Sequence, residues 1–132
     1  MKLIINADDY GMSDGVNDAV NKLMSKGIVK STTVMTNMPH ASDARHLLAF
    51  DGVSVGLHFN LSQGQAISSV DEVKTLVDDA GRFLGIAELR NRFAKGLISK
   101  KEVYLELEAQ WRRLEDILGC PPSHIDSHQG LN

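Results

Sequence analysis

The stretch Lys2-Leu3-Ile4-Ile5-Asn6-Ala7-Asp8-Asp9-Tyr10-Gly11 decides the fold. Lys2 to Asn6 is a short apolar run rich in β-branched residues, which predicts strand one, and Ala7 to Gly11 has the composition of a loop. Ser13 then stands as an N-cap before Val16, Ala19, Val20, Leu23 and Met24, a helical stripe that ends at Gly27. A strand, a short acidic loop and an amphipathic helix make the first half of a βαβ unit.

The rhythm repeats. Ile28 to Met38 holds the β-prone Ser31-Thr32-Thr33-Val34-Met35, and Ala41, Ala44, Leu47 and Leu48 follow at helical spacing before Asp51-Gly52. Val53 to Leu57 predicts a third strand that ends at His58 and opens into a long polar stretch from Asn60 to about Asp79, of the kind that carries function. A helical region starts near Ile86. A longer one covers Lys100 to Leu118, with Val103, Leu107, Trp111, Leu114 and Leu118 as its core-facing stripe, closed by Gly119 and two prolines. His124 to His128 is read as a fourth strand on the strength of Ile125 alone. Alternating strands and helices predict an α/β fold with right-handed crossovers and a parallel sheet, in one domain over 1–132.

Composition narrows the function. A chain of 132 residues with net charge −3 and no Lys/Arg block offers no footprint for nucleic acid. No apolar segment has the length of a signal peptide core or a membrane span, and lone Cys120 forms no internal disulfide, so a cytoplasmic setting is expected. A Gly-x-Ser-x-Gly elbow is missing, and Gly11 lacks a phosphate-cradling glycine pattern. His40 and His46 read as surface residues, Cys120 as structural and the Trp111 stripe as core.

In a parallel α/β sheet, side chains at the carboxyl ends of the strands converge on one edge. That edge should gather Asp8 and Asp9 after strand one, His58 after strand three and His128 after strand four, where His124, Asp126 and His128 share a face at spacing two. Two imidazoles and a carboxylate suit a catalytic divalent ion, and a second carboxylate beside the first can take a proton from water. Side chains alternate along an extended chain, so the sequence leaves open which of Asp8 and Asp9 does which.

Asn6-Ala7-Asp8-Asp9-Tyr10-Gly11, Gly56-Leu57-His58-Phe59-Asn60-Leu61 and His124-Ile125-Asp126-Ser127-His128 resemble three N-terminal motifs of the YdjC-like carbohydrate deacetylase family. Ser31 to Met35 and Asn37-Met38-Pro39 look like its second-strand region. The resemblance implies an irregular TIM-barrel-like (β/α) fold and removal of acetyl groups from N-acetylated sugars such as chitooligosaccharides. It makes Asp9, His58 and His128 ligands of a divalent ion, magnesium or zinc, and Asp8 the general base. It also implies that ion and base together activate a water against the acetamide carbonyl, with the general acid for the amine in the C-terminal half of the barrel.

Two departures stand out. The chain matches only the N-terminal half of such a barrel, so an open sheet able to pair with itself as a homo-oligomer or with a complementary chain is expected. The last motif of the family continues as His-x-His-x-His, whereas Gly130 and Asn132 stand here. Competing readings are hydrolysis of a phosphorylated or glycosidic sugar bond by the same ion, and a sugar-binding module without turnover.

Overall fold

A computed structural model describes residues 3–130. Four strands, β1 (Asn6–Tyr10), β2 (Ser31–Val34), β3 (Ser54–Phe59) and β4 (Ile125–Ser127), form one sheet, every neighbouring pair parallel, in the order β1-β2-β3-β4. Sequential order is that of a barrel arc; a doubly wound sheet reverses direction at a switch point. The expected α/β class and parallel βα units are therefore present.

Strand one is displaced from its expected place. Its ladder to β2 uses Asn6, Ala7 and Tyr10, so the acidic pair lies inside the strand, while Leu3, Ile4 and Ile5 precede it and are exposed. Lys2, the expected start, lies outside the described residues. Apolar content misled here because β2 presents Ser31, Thr32 and Thr33, all buried, and such a partner pairs with a polar strand. Helix α1 (Asp14–Ser25) is capped as expected, with the Ser13 hydroxyl accepting from the Val16 amide at 3.3 Å.

The expected second helix is a 3-10 helix, Ala41–Ala49. Its buried residues Ala41, Ala44 and Leu47 recur every third position, the 3-10 period, which leaves Leu48 exposed. Helices α2 (Ile86–Ala94) and α3 (Lys100–Leu118) fall where expected, and Gly119 closes α3 in the left-handed conformation at φ 74°.

On α3 the inward face is rotated from the apolar stripe. Glu106, Gln110, Leu114 and Leu118 are buried, an i, i+4 row, while Val103, Leu107 and Trp111 flank it half-buried. Glu106 and Gln110 go inside because backbone groups meet them there. The Gln110 amide donates to the Asn60 carbonyl at 2.7 Å and accepts from the Asn60 amide at 3.1 Å. The Glu106 carboxylate accepts from the amides of Ile67 and Ser68 at 2.9 Å and from Gln110 at 2.8 Å. A buried side chain so satisfied is tolerated; one left without partners is not. The stretch after β3 is thus an ordered loop, with Leu61, Val73, Leu76, Val77 and Phe83 buried beneath it.

Gly56 in β3 lies against His124, the residue just before β4. A Cβ there would stand 2.7 Å from both the carbonyl oxygen and Nε2 of His124. Since the backbone atom cannot step aside, Gly56→Ala is expected to destabilise the protein by about 1–3 kcal/mol, read as a lower urea midpoint.

Candidate metal centre

One extra residue in β1 builds the site. From Ala7 to Tyr10 the strand advances three residues while β2 advances two, from Thr32 to Val34. This bulge contains Asp8 and Asp9, and Asp9 adopts φ 65°. Bulges re-aim side chains. In a regular strand the two carboxylates would face opposite sides; here both come to the same imidazole. Asp9 Oδ1 stands 3.1 Å from His58 Nε2, and a carboxylate oxygen of Asp8 belongs to a group with His58 and Asp126 whose ligand atoms lie within 4.8 Å of one another.

His58 is the fifth residue of β3, buried at the carboxyl end of the strand. His128 sits just past β4, at the head of a 3-10 turn, so strand four ends one residue before the expected place. Gln129 follows at φ 57°; among the described residues, it and Asp9 are the non-glycine positions with positive φ. Ser62 donates to the Gln129 side chain at 2.8 Å and Arg90 to its carbonyl at 3.3 Å, which anchors the turn. Strain of this kind clusters at functional sites.

Three atoms converge. Asp9 Oδ1 lies 2.9 Å from His128 Nδ1, and His58 Nε2 lies 3.2 Å from the same nitrogen. Asp9 Oδ1 is buried and has no hydrogen-bond partner among the described residues. Ligands about 2.0–2.2 Å from a divalent ion stand roughly 2.9 Å apart in an octahedron and 3.4 Å in a tetrahedron. The observed edges fall within that range. An orphaned carboxylate oxygen facing two imidazole nitrogens is a donor set that fits a divalent ion.

Asp126, half-buried on β4, was noticed in the sequence only for its spacing. It pairs in register with His58, and its Oδ1 accepts a hydrogen bond from His58 Nδ1 at 2.6 Å. Thr33 donates to the other oxygen of Asp126 at 3.0 Å. A carboxylate behind an imidazole fixes the tautomer and leaves the opposite nitrogen bare for a ligand. Asn60, read in the sequence only as part of the second motif, holds the loop after His58 with Glu106 and Gln110, which gave no signal in the sequence because most of their partners are backbone groups.

The remaining histidines go elsewhere. His40 pairs with Asp14 at 2.8 Å near the surface, His46 is exposed, and His124 lies over Gly56. Cys120 is exposed and free. Burial pushes the Tyr10 phenol above its ordinary pKa, against the lowering effect of its hydrogen bond with Asn21, and the Asp43 carboxylate pushes the same way as burial. Gly130 is exposed, and Asn132 lies outside the described residues. No helix among the described residues is long and apolar enough to cross a membrane.

A barrel-type parallel sheet with one aspartate and two histidines converging at its carboxyl edge defines an α/β scaffold with a candidate metal centre. The chain belongs to the YdjC-like protein family, whose model matches residues 2–132. It is 39% identical over 133 residues to a carbohydrate deacetylase of Halalkalibacterium halodurans, covering 100% of this chain and 54% of that one. It is 36% identical over 131 residues to a chitooligosaccharide deacetylase of Serratia marcescens, covering 98% and 50%. A solved structure from Enterococcus faecalis, provisionally described as a cellobiose-phosphate cleavage protein, superposes with TM-score 0.84 at 30% identity, covering 97% of this chain and 48% of that one. The chain thus spans about half the length of the curated relatives it matches.

The Asp126 contact yields a direct test. In 15N spectra His58 is expected as a single tautomer protonated at Nδ1, and Asp126→Ala is expected to mix the tautomers. A mixed signal in the wild type would show that Asp126 does not fix the ring.

Proposed function

We propose that this chain carries the metal-binding half of a carbohydrate N-deacetylase site, with Asp9, His58 and His128 as ligands and Asp8 as general base. The convergence of Asp9 Oδ1, His58 Nε2 and His128 Nδ1, with edges of 2.9 to 3.2 Å, carries this reading. The names of the Halalkalibacterium and Serratia relatives supply the acetylated sugar. With two nitrogen donors to one oxygen, the set suits zinc better than magnesium, which prefers oxygen.

A divalent ion held there supplies Lewis-acid polarisation of a carbonyl oxygen and a more acidic water. The protein residues do the rest. His58 and His128, both buried, contribute neutral nitrogen donors, and Asp126 holds the His58 ring against rotation. Asp8, exposed on the open face of the sheet, is placed to take the proton of a water attacking the acetamide carbon. Acetate and a free amine are the products. The acid that protonates the departing amine is assigned to the half of the relatives that this chain does not match. A cytoplasmic setting with no nucleic-acid partner belongs to the same reading and rests on composition.

The Enterococcus neighbour favours a second reading, cleavage of a sugar-phosphate or glycosidic bond at the same centre. Product analysis separates the two, since acetate supports the first and phosphate or free sugar the second. Metal content and acetate release from N-acetylated chitooligosaccharides are to be measured on this chain and on a chimera bearing the C-terminal half of the Halalkalibacterium relative. Acetate abolished by chelation is expected.

Substitutions divide the roles. Asp9→Ala, His58→Ala and His128→Ala are each expected to lower metal affinity by at least tenfold, since each removes a ligand. Asp8→Asn should keep the metal and lower turnover about 10²- to 10⁴-fold, the usual worth of a general base. Equal metal loss in Asp8→Asn would reverse the assignment of the two aspartates.

A further inference from the structure

On the open face of the sheet Asn6, Asp8, Ser31, Thr33 and Asp126 form a polar cluster, and Asn6 is its hub. Its Nδ2 donates to Asp8 Oδ1 at 2.7 Å and lies 3.3 Å from Thr33 Oγ1 and 3.5 Å from Asp126 Oδ2. Its Oδ1 accepts from the Ser31 hydroxyl at 2.5 Å. Asn6 and Ser31 are register partners, so the sheet itself sets that contact. An amide can be flipped, but the flip would press Oδ1 against two carboxylates and leave the NH2 facing a hydroxyl. The arrangement has one low-energy orientation.

From this we propose that Asn6 is the positioning residue for Asp8. This rests on the reading of Asp8 as general base. One Asn6 proton ties down a single oxygen of Asp8 and leaves the other free to accept a proton from water. The second Asn6 proton is shared between Thr33 and Asp126, the group that holds His58. One neutral side chain thereby sets the separation between the base and the framework of the metal ligands. A longer or charged residue could not: lysine or arginine would bind either carboxylate as a counter-ion, and aspartate would set a third negative charge beside two others. Ser31 acts through Asn6 by fixing the sense of its amide.

The first readout needs no turnover. In 1H–15N spectra of this chain one Asn6 side-chain proton is expected downfield of the range of a solvated amide. Asp8→Ala should return it to that range, and Ser31→Ala should broaden or double it as the amide begins to flip. An ordinary Asn6 signal in the wild type overturns the proposal. The second readout is kinetic, on the chimera described above. Losing a hydrogen bond to a charged group costs about 1.5–3 kcal/mol, so Asn6→Ala should lower kcat for acetate release by roughly 10- to 100-fold. KM and zinc affinity should stay within about twofold, an expectation taken from the lack of any ligand contact by Asn6. Zinc affinity falling in step with kcat, or an unchanged kcat, overturns it. A shifted Asn6 signal in a protein that releases no acetate would sink the deacetylase reading and support the Asn6–Asp8 contact.

Discussion

The site depends on a single inserted residue. Without the bulge between Ala7 and Tyr10, Asp8 and Asp9 would stand on opposite faces of β1, one toward the helices and one toward the open face. With it, Asp9 meets His58 at 3.1 Å and Asp8 stands within 4.8 Å of the same side chain. The insertion has a cost, because a non-glycine residue at φ 65° lies in a sparsely populated region worth about 1–3 kcal/mol. The surroundings over-determine that conformation. Met12 donates to the Asp9 carbonyl at 3.1 Å, the Tyr10 carbonyl receives the Met35 amide at 2.8 Å, and the next amide, Gly11, is taken by buried Asn17 at 2.7 Å. Asn17 in turn donates to the His40 carbonyl and to Asp43, so α1 and the 3-10 helix both grip the exit of the strand.

A second set of polar anchors fixes the other end of the site. Gln110 pairs with both backbone groups of Asn60, two residues beyond His58, and Glu106 holds the loop at Ile67 and Ser68. Asn60 accepts from the Ser62 and Gln63 amides, and Ser62 reaches across to Gln129 beside His128. The path from α3 to the second histidine is therefore a chain of hydrogen bonds. Such links hold angles as well as distances, which keeps His58 and His128 in place with little tolerance.

Much of this was legible in the sequence. The βα rhythm, the class of the sheet, the limits of α3 and the gathering of Asp9, His58 and His128 at one edge follow from periodicity and from the rule that sites lie at carboxyl ends of parallel strands. What escaped has a common physical cause. Apolar content puts strand one at Lys2 to Asn6, whereas β1 spans Asn6–Tyr10, because apolar content marks a strand only when its partner is apolar and β2 is lined by Ser31, Thr32 and Thr33. The buried face of α3 was missed because Glu106 and Gln110 are satisfied by backbone groups, and backbone groups have no sequence signature. The 3-10 helix was foreshadowed by Ala41, Ala44 and Leu47 at intervals of three, a spacing shared by both helix types over so short a run.

Departures from local rules gather around the candidate site. Local rules fail where a chain holds polar residues inside or bends its backbone against preference, and it does so where something other than stability is gained. Here the failures are Asp9 with its positive φ, Gln129 with the same, the unbonded Asp9 Oδ1, and the buried Glu106 and Gln110. All but the last two touch or adjoin His58 and His128, and the last two hold the loop between them. Left to itself, a buried acceptor without a donor costs about 1–3 kcal/mol, and the strained turns add to that. A cation shared by Asp9, His58 and His128 would offset these terms in the folded state alone, since the ligands are 49 and 70 residues apart along the chain. Under the proposed reading, an ion held by residues so far apart in sequence would link its binding to folding of these strands, and the positive φ of Asp9 is the local conformation that such linkage would help to hold.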